Sequence, residues 1–439
     1  MSSNSSNQDR ALLIGVSLPH IPLWEAEDSL EELARLADAA LLTTVERVIQ
    51  SRNRIDSAFY VGKGKVQEIK QTSKKADVDL LIFDNDLSPA QMRNLENKTE
   101  MRVLDRSALI LDIFSRHART RTAQVQVELA QLNYLLPRLT RMWTHLSRQA
   151  GGGAIRGMGS AGVRGPGETQ LETDRRIIHR QINSLETKLK RINTQMATGR
   201  KSRQGIYSVA LVGYTNAGKS TLFNYVTGAK IKTADQLFAT LDPTLRRVKI
   251  ENNNDIILTD TVGFIRDLPH ELIESFKATL DEIREADLLV HIIDVEQDGR
   301  QSRIDEVNEV IEMIGASNVP QIEVYNKIDM HSAQKKRIEV SKYNKLTRVW
   351  LSSKTGDGVN FLLESITKHL NQHKKPHYIK LPISAGQLRA KLFDIGAVKR
   401  EDTDNKDGWL LEVELEEFKL HKLCKEANLD ISNIEYSQA

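Results

Sequence analysis

The sequence predicts an α/β protein. Its centre is a mainly parallel, doubly wound sheet, preceded by a small α/β domain and a long helical hairpin and followed by a small α+β domain. Three observations carry that prediction. Apolar runs at Ile206–Val212, Asp255–Thr259, Asp287–Asp294, Gln321–Tyr325 and Arg348–Leu351 alternate with helix-like segments, the pattern of strands covered on both faces. Two long segments flanking a glycine-rich stretch keep a helical period. The 439 residues also exceed what one core holds, since single cores rarely grow past about 300 residues.

The first domain is expected at residues 1–105. Runs at Ala11–Val16 and Asp79–Asp84 alternate with helical patterns at Ala26–Leu42 and Ser88–Lys98. Its loop Val61-Gly-Lys-Gly-Lys65 opens a helix and could offer backbone amides to an anion, but a lone GKGK is weak evidence and an ordinary basic turn is the favoured reading. Residues 106–204 form the hairpin, with Val125, Leu129, Leu132 and Leu136 facing Ile177, Ile178, Ile182, Leu185, Leu189 and Ile192. Between them, 151–167 holds too many glycines for either helix or strand and reads as a flexible tip loop. The central domain spans 205–371. In 372–439, strand alternation around Trp409–Val413 and helices at Ser384–Leu392 and Glu417–Asn428 give the closing α+β domain.

Composition narrows the function classes. At 40% hydrophobic the chain can bury enough surface to order itself, which excludes wholesale disorder. One cysteine, Cys424, leaves no internal disulfide and too few thiolates for a structural zinc site; it reads as an apolar filler in a reducing compartment. The polar start MSSNSSNQDR lacks the apolar stretch of a secretory signal, and no run approaches the roughly 18 apolar residues of a membrane span. A cytoplasmic protein is expected. Net charge is only +3, but it is unevenly spread: residues 138–203 carry fourteen Lys or Arg against four acids, while 372–439 carry eleven against twelve. A basic hairpin with a mobile tip bearing Arg156 and Arg164 suits nucleic acid, with a solvated helix surface as the bland competitor.

The central domain carries the chemistry. Gly213-Tyr214-Thr215-Asn216-Ala217-Gly218-Lys219-Ser220-Thr221 follows the apolar run Val209–Val212 and opens a helix, the strand-loop-helix setting of a phosphate-binding loop. Its glycines let amides converge on phosphate oxygens, Lys219 adds a cation near the β- and γ-phosphates, and the Ser220 hydroxyl suits Mg2+. Asp260-Thr261-Val262-Gly263 ends another strand, placing a carboxylate for the metal and an amide for the terminal phosphate. Asn326-Lys327-Ile328-Asp329 follows a third; Asp329 can accept from both N1-H and the 2-amino group of guanine, a donor pair that adenine lacks. Phe238-Ala239-Thr240-Leu241-Asp242 lies where a threonine would join Mg2+ and the γ-phosphate; Thr240 is the choice and Thr244 its rival. Ser352-Ser353-Lys354 is placed to brace the base through backbone amides, with a plain serine-rich loop as the competing reading.

These motifs, together with Gly165-Pro-Gly-Glu-Thr-Gln-Leu-Glu172, resemble the HflX family of translational GTPases within the wider Obg-like group, over nearly the whole chain. The resemblance implies a P-loop GTPase domain hydrolysing GTP to GDP and phosphate. Ser220 and Thr240 would be the Mg2+ ligands, and residues 213–220, 238–242, 260–263, 326–329 and 352–354 would line the nucleotide. Lys219, Thr240, Gly263 and Asn216 would act in catalysis, Asn216 being the position at which some related GTPases ligate K+. The N-terminal domains would bind the large ribosomal subunit and its RNA, and the family is associated with splitting or rescuing stalled ribosomes under stress. At 352–354 the chain has Ser-Ser-Lys where Ser-Ala is usual. Phe264 stands where many GTPases place a water-orienting glutamine, so slow intrinsic turnover is expected, with completion of the site on the ribosome. Two other classes compete: a GTPase in RNA modification, which needs a catalytic cysteine or cofactor motif, and a switch peripherally associated with membranes. A monomer is expected.

Overall fold

The computed structural model describes residues 8–19, 21–149, 170–202, 206–229, 237–238, 241–250, 254–295, 299–330, 335–340, 347–372, 375–404 and 408–415, with five further positions between 420 and 429. The chain divides into two compact units. One is built from the described residues of 1–196, 232–242 and 262–281, the other from those of 197–231, 243–261 and 282–439.

The first unit is built on a four-stranded parallel sheet, β2-β1-β3-β4, comprising β1 (Arg10–Ser17), β2 (Thr43–Ser51), β3 (Leu80–Phe83) and β4 (Arg102–Asp105). Helices α1 (Leu23–Ala39), α2 (Lys63–Lys75) and α3 (Pro89–Thr99) alternate with these strands. Ser88 starts α3 with a capping box, its hydroxyl accepting from the Gln91 amide while the Gln91 side chain accepts from the Ser88 amide. Leu12, Ile14, Leu81 and Phe83 from the two central strands share a core with Val66, Ile69 and Leu95. The order turns back between β1 and β3, and in such sheets the carboxyl ends on either side of that point open a crevice.

Residues 106–203 hold more than the expected pair of helices. A separate helix, α4 (Arg106–His117), precedes α5 (Arg121–Gln149) and α6 (Gln170–Ser202). Buried Val125, Leu129, Ile182, Leu185 and Leu189 join α5 to α6, with Leu132, Leu136, Ile178 and Ile192 packed alongside. That is the predicted apolar stripe except for Ile177, which stays 47% exposed. Arg156, Arg164 and the rest of the glycine tip lie outside the described residues.

In the second unit a seven-stranded sheet runs β10-β11-β9-β8-β5-β7-β6. Its parallel centre consists of β5 (Tyr207–Gly213), β7 (Asn254–Asp260), β8 (Leu288–Asp294), β9 (Gln321–Asn326) and β11 (Thr347–Trp350). Antiparallel β6 (Thr244–Ile250) and β10 (Arg337–Val340) form its two edges. Helix α7 (Lys219–Thr227) joins β5 to β6, α10 (Arg300–Met313) joins β8 to β9, and α11 (Val359–Gln372) follows β11; α8 (His270–Ser275) and α9 (Lys277–Arg284) lie between β7 and β8 in sequence. Val209, Leu211, Val290, Ile292 and Val324 fill the middle of the core with Leu222, Phe223 and Leu362.

A three-stranded antiparallel sheet, β12 (Lys375–Pro382), β14 (Gly408–Leu415) and β13 (Val398–Asp404), follows, with α12 (Gly386–Asp394). Cys424 is 1% exposed in its core beside Ile379, Leu388 and Leu411. Most of the expected helix Glu417–Asn428 lies outside the described residues. Among the described residues no helix is long and apolar enough to cross a membrane.

One buried carboxylate fastens α3, α4 and α5 together. Asp105 caps α4 by accepting from the Ala108 amide at 2.9 Å, and it also accepts from Tyr134 Oη at 2.6 Å, Arg138 at 3.0 Å and the Leu87 amide at 3.3 Å. Burial pushes its pKa up, and the Tyr134 hydroxyl is the foremost group opposing that shift. Tyr134→Phe is therefore expected to destabilise this region by about 1.5–3 kcal/mol, the usual size for a hydrogen bond to a charged group. Urea unfolding followed by hydrogen exchange at α4 and α5 measures it. A loss below about 0.5 kcal/mol would mean the remaining donors suffice.

Candidate nucleotide-binding site

In the second unit the motifs converge at the carboxyl ends of neighbouring parallel strands, where doubly wound sheets bind ligands. Gly213 ends β5 at φ 144°, and a Cβ there would lie 2.3 Å from the Ile292 carbonyl oxygen of β8. Gly218, at φ 98°, would bring a Cβ within 2.2 Å of Asn326 Nδ2. These two glycines are required by close approach as well as by torsion. Between them Asn216 takes a left-handed φ of 60° and is exposed, while Thr215 and Ala217 are buried.

Lys219 begins α7, and its ammonium donates to the carbonyls of Gly213 at 2.8 Å and Tyr214 at 2.6 Å. Burial pushes its pKa down to about 8, with the Asp260 carboxylate pulling the other way. His291 on β8 is 2% exposed, and burial reinforced by the Lys219 charge pushes its pKa down to about 4, so it is neutral at physiological pH. Nothing in its sequence setting marks His291 as part of this locale except a polar residue inside an otherwise apolar strand.

Ser220 Oγ donates to Asp260 Oδ2 at 2.7 Å, and Thr261 Oγ1 to the Leu211 carbonyl at 2.6 Å, which ties the end of β7 to β5. A hydroxyl and a fully buried carboxylate meeting beside a phosphate-binding loop are hard oxygen donors of the kind Mg2+ takes. The donor set fits that ion.

Asn326 joins two loops. Its Nδ2 donates to the Ala217 carbonyl at 2.8 Å and to Ser353 Oγ at 3.0 Å, and its Oδ1 accepts from the Ser353 amide at 2.9 Å. Lys327 adopts φ 66° and pairs with Asp294 at 2.8 Å. Ile328 is buried, and Asp329 Oδ1 accepts from Ser352 Oγ at 2.6 Å. Ser352 and Ser353 are buried and hydrogen-bonded into the array, whereas Lys354 is exposed. Ser352 and Ser353 are thus tied to Asp329 and Asn326. Behind it Tyr325 stacks on Trp350 with ring centroids 4.6 Å apart.

The remaining expected residues belong to the first unit. Phe238 and Leu241 are buried there, Phe238 edge-on to Phe114, and Asp242 accepts from Thr120. Val262, Gly263 and Phe264 are also buried there and follow Thr261 directly in the chain. Ala239 and Thr240 lie outside the described residues. Sequence patterning offered no sign that α4 would receive Phe238, because the partner, Phe114, is more than a hundred residues away.

Gly218→Ala is expected to lower guanine-nucleotide affinity at least tenfold, because the added methyl collides with the amide that holds the loop. Titration with a fluorescent GDP analogue reads this; an unchanged affinity would mean that the approach of Asn326 to the loop is not needed for binding.

The chain matches family models described as GTP-binding GTPase N-terminal over residues 27–115, GTP-binding GTPase Middle Region over 117–203 and 50S ribosome-binding GTPase over 208–327. It is 44% identical over 413 residues to GTPase HflX of Escherichia coli (strain K12), covering 93% of this chain and 95% of that one. Against GTPase HflX of Caldanaerobacter subterraneus subsp. tengcongensis the identity is 40% over 408 residues, covering 92% and 91%. Among solved structures it is similar to SsGBP in complex with GDP, at 26% identity and a TM-score of 0.45 over 83% of this chain and 99% of that one. With such identity to curated relatives along almost its full length, and with three family models matched in sequence order, the chain belongs to the HflX family of GTPases and is a GTP-binding, GTP-hydrolysing enzyme.

Proposed function

We propose that this GTPase binds the large ribosomal subunit and its RNA, and uses GTP binding and hydrolysis to split or rescue stalled ribosomes. The observation that carries the reading is the concentration of basic charge, fourteen Lys or Arg against four acids in 138–203, on the hairpin and its glycine tip. The description of the matched family model, 50S ribosome-binding GTPase, supports the same partner. Arg156 and Arg164 approach RNA phosphates or stack on bases, and the surrounding glycines permit close contact. Cys424, sealed in a core, offers no nucleophile for RNA modification.

In the proposed site, residues 213–220 wrap the phosphates, with Lys219 as the cation beside the β- and γ-phosphates. Ser220 and Thr240 would hold Mg2+, with Asp260 hydrogen-bonded to Ser220 beside them, and the ion would supply charge neutralisation at the phosphates. Asn216, exposed at this loop, would hold K+. Gly263 supplies an amide to the γ-phosphate, with 238–242 and 260–263 closing around it. Asp329, oriented by Ser352, reads guanine, and 352–354 brace the base. Phe264 is 2% exposed and has no polar atom with which to orient water. Hydrolysis is therefore slow until the partner orders these segments.

Three outcomes are expected. Asp329→Asn shifts preference from GTP toward xanthosine triphosphate by at least tenfold, since one acceptor of the pair becomes a donor; competition binding measures it, and retained GTP selectivity would refute the base assignment. Purified large subunits accelerate single-turnover GTP hydrolysis at least tenfold. In co-sedimentation, Arg156→Glu combined with Arg164→Glu weakens subunit association while leaving GTP affinity unchanged. Equal hydrolysis rates with and without subunits would remove the ribosome reading.

A further inference from the structure

The four-stranded sheet of the first unit has the topology of a ligand-binding sheet, and part of this same chain is fastened at its crevice. Ser29 and Glu32 come from one face of α1, Asp84 directly follows β3, and Arg106 opens α4. Arg106 is 1% exposed; it pairs with Asp84 at 2.7 Å and with Glu32, while Ser29 Oγ donates to Asp84 Oδ2 at 2.6 Å. A buried guanidinium between two carboxylates is weak evidence for stability, but its fixed fork sets a direction for its remaining donors. Here Arg106 Nε donates to the backbone carbonyl of Arg266 at 3.3 Å, and the Arg266 side chain reaches Glu25 on the first turn of α1 at 3.1 Å. Arg266 lies three residues past Gly263.

Two helical turns beyond Arg106, the same helix holds a second contact. The Phe114 ring is edge-on to Phe238 at 4.5 Å and to Phe276 at 5.5 Å. Just past the end of α4, Thr120 Oγ1 donates to Asp242 Oδ1 at 2.6 Å. This helix and the residues just past its end thus touch Phe238 and Asp242, which precede β6, and Arg266 and Phe276, which follow β7.

We propose that α4 is a positioning element for the GTPase reaction. Arg106 and Phe114 hold Phe238, Arg266 and Phe276 in one joint arrangement, and the crevice of the N-terminal sheet has the stretch after β7 as its own internal ligand. Nucleotide exchange then changes the grip of α4 on both segments together. The proposal rests on the GTP site described above, and guanine selectivity through Asp329 is the control belonging to that earlier reading.

The test is made on the full chain without ribosomes. Amide hydrogen exchange at 106–118 and 262–276 is compared between GDP and a non-hydrolysable GTP analogue. The parent protein is expected to show at least a threefold difference in exchange at both segments. Phe114→Leu, which keeps most of the apolar volume but removes the ring edge, erases that difference and changes GDP release at least threefold, while GTP-over-xanthosine-triphosphate selectivity stays as in the parent. Glu25→Gln, at a half-exposed position that leaves the buried cluster intact, shifts GDP release in the same direction, and Arg106→Lys does so more strongly if it folds. Exchange at α4 that is identical in the two nucleotide states would overturn the proposal, as would GDP release within twofold of the parent in both Phe114→Leu and Glu25→Gln. Lost guanine selectivity in the parent would instead count against the base site, independently of α4.

Discussion

The amide side chain of Asn326 is the interaction on which the geometry of the nucleotide site depends. It is fully buried, donates to the phosphate loop and to Ser353, and accepts from the Ser353 backbone. The end of β9 is thereby tied to the loops after β5 and β11, in addition to the backbone bonds between the strands. The lock works because Gly218 has no Cβ; any side chain there would occupy the space of the Asn326 nitrogen. A buried polar group is costly when unpaired, so the same residue that assembles the loops also penalises alternative arrangements of them. The proposed phosphate and base contacts are consequently carried by one hydrogen-bonded array.

Electrostatics follow from the same burial. Lys219 is held away from water with its charge opposed by desolvation, and His291 is kept neutral beneath it. Positive charge is thus concentrated in one ammonium group instead of being shared with a neighbouring imidazolium. A polyphosphate arriving at the loop supplies the counter-charge that two backbone carbonyls provide only in part.

The motif-bearing strands were legible because buried parallel strands read as continuous apolar runs, and each motif sits at the end of such a run. The hairpin seam was legible from helical period alone. Edge strands were not: Thr43–Ser51 carries Glu46 and Arg47 in a half-exposed, mixed pattern, and its identity as β2 comes from pairing with β1. Helix α4 is not separable from the hairpin by pattern, since its apolar residues Leu109, Ile110, Ile113 and Phe114 resemble a continuation of the α5 period. Within the site, Lys219, Ser220, Asp260, Asn326 and Asp329 were found by motif. Arg106, Phe114 and His291 were not, because their roles arise from contacts between distant parts of the chain and no local spacing encodes such contacts.

The position of the sole thiol has a practical corollary. Cys424 is enclosed among aliphatic side chains of the last sheet, so maleimides, spin labels and mild oxidants have almost no access to it in the folded chain. Single cysteines introduced on the surface can therefore carry probes without first deleting the native one. A background signal from Cys424 would itself report that the C-terminal sheet had opened.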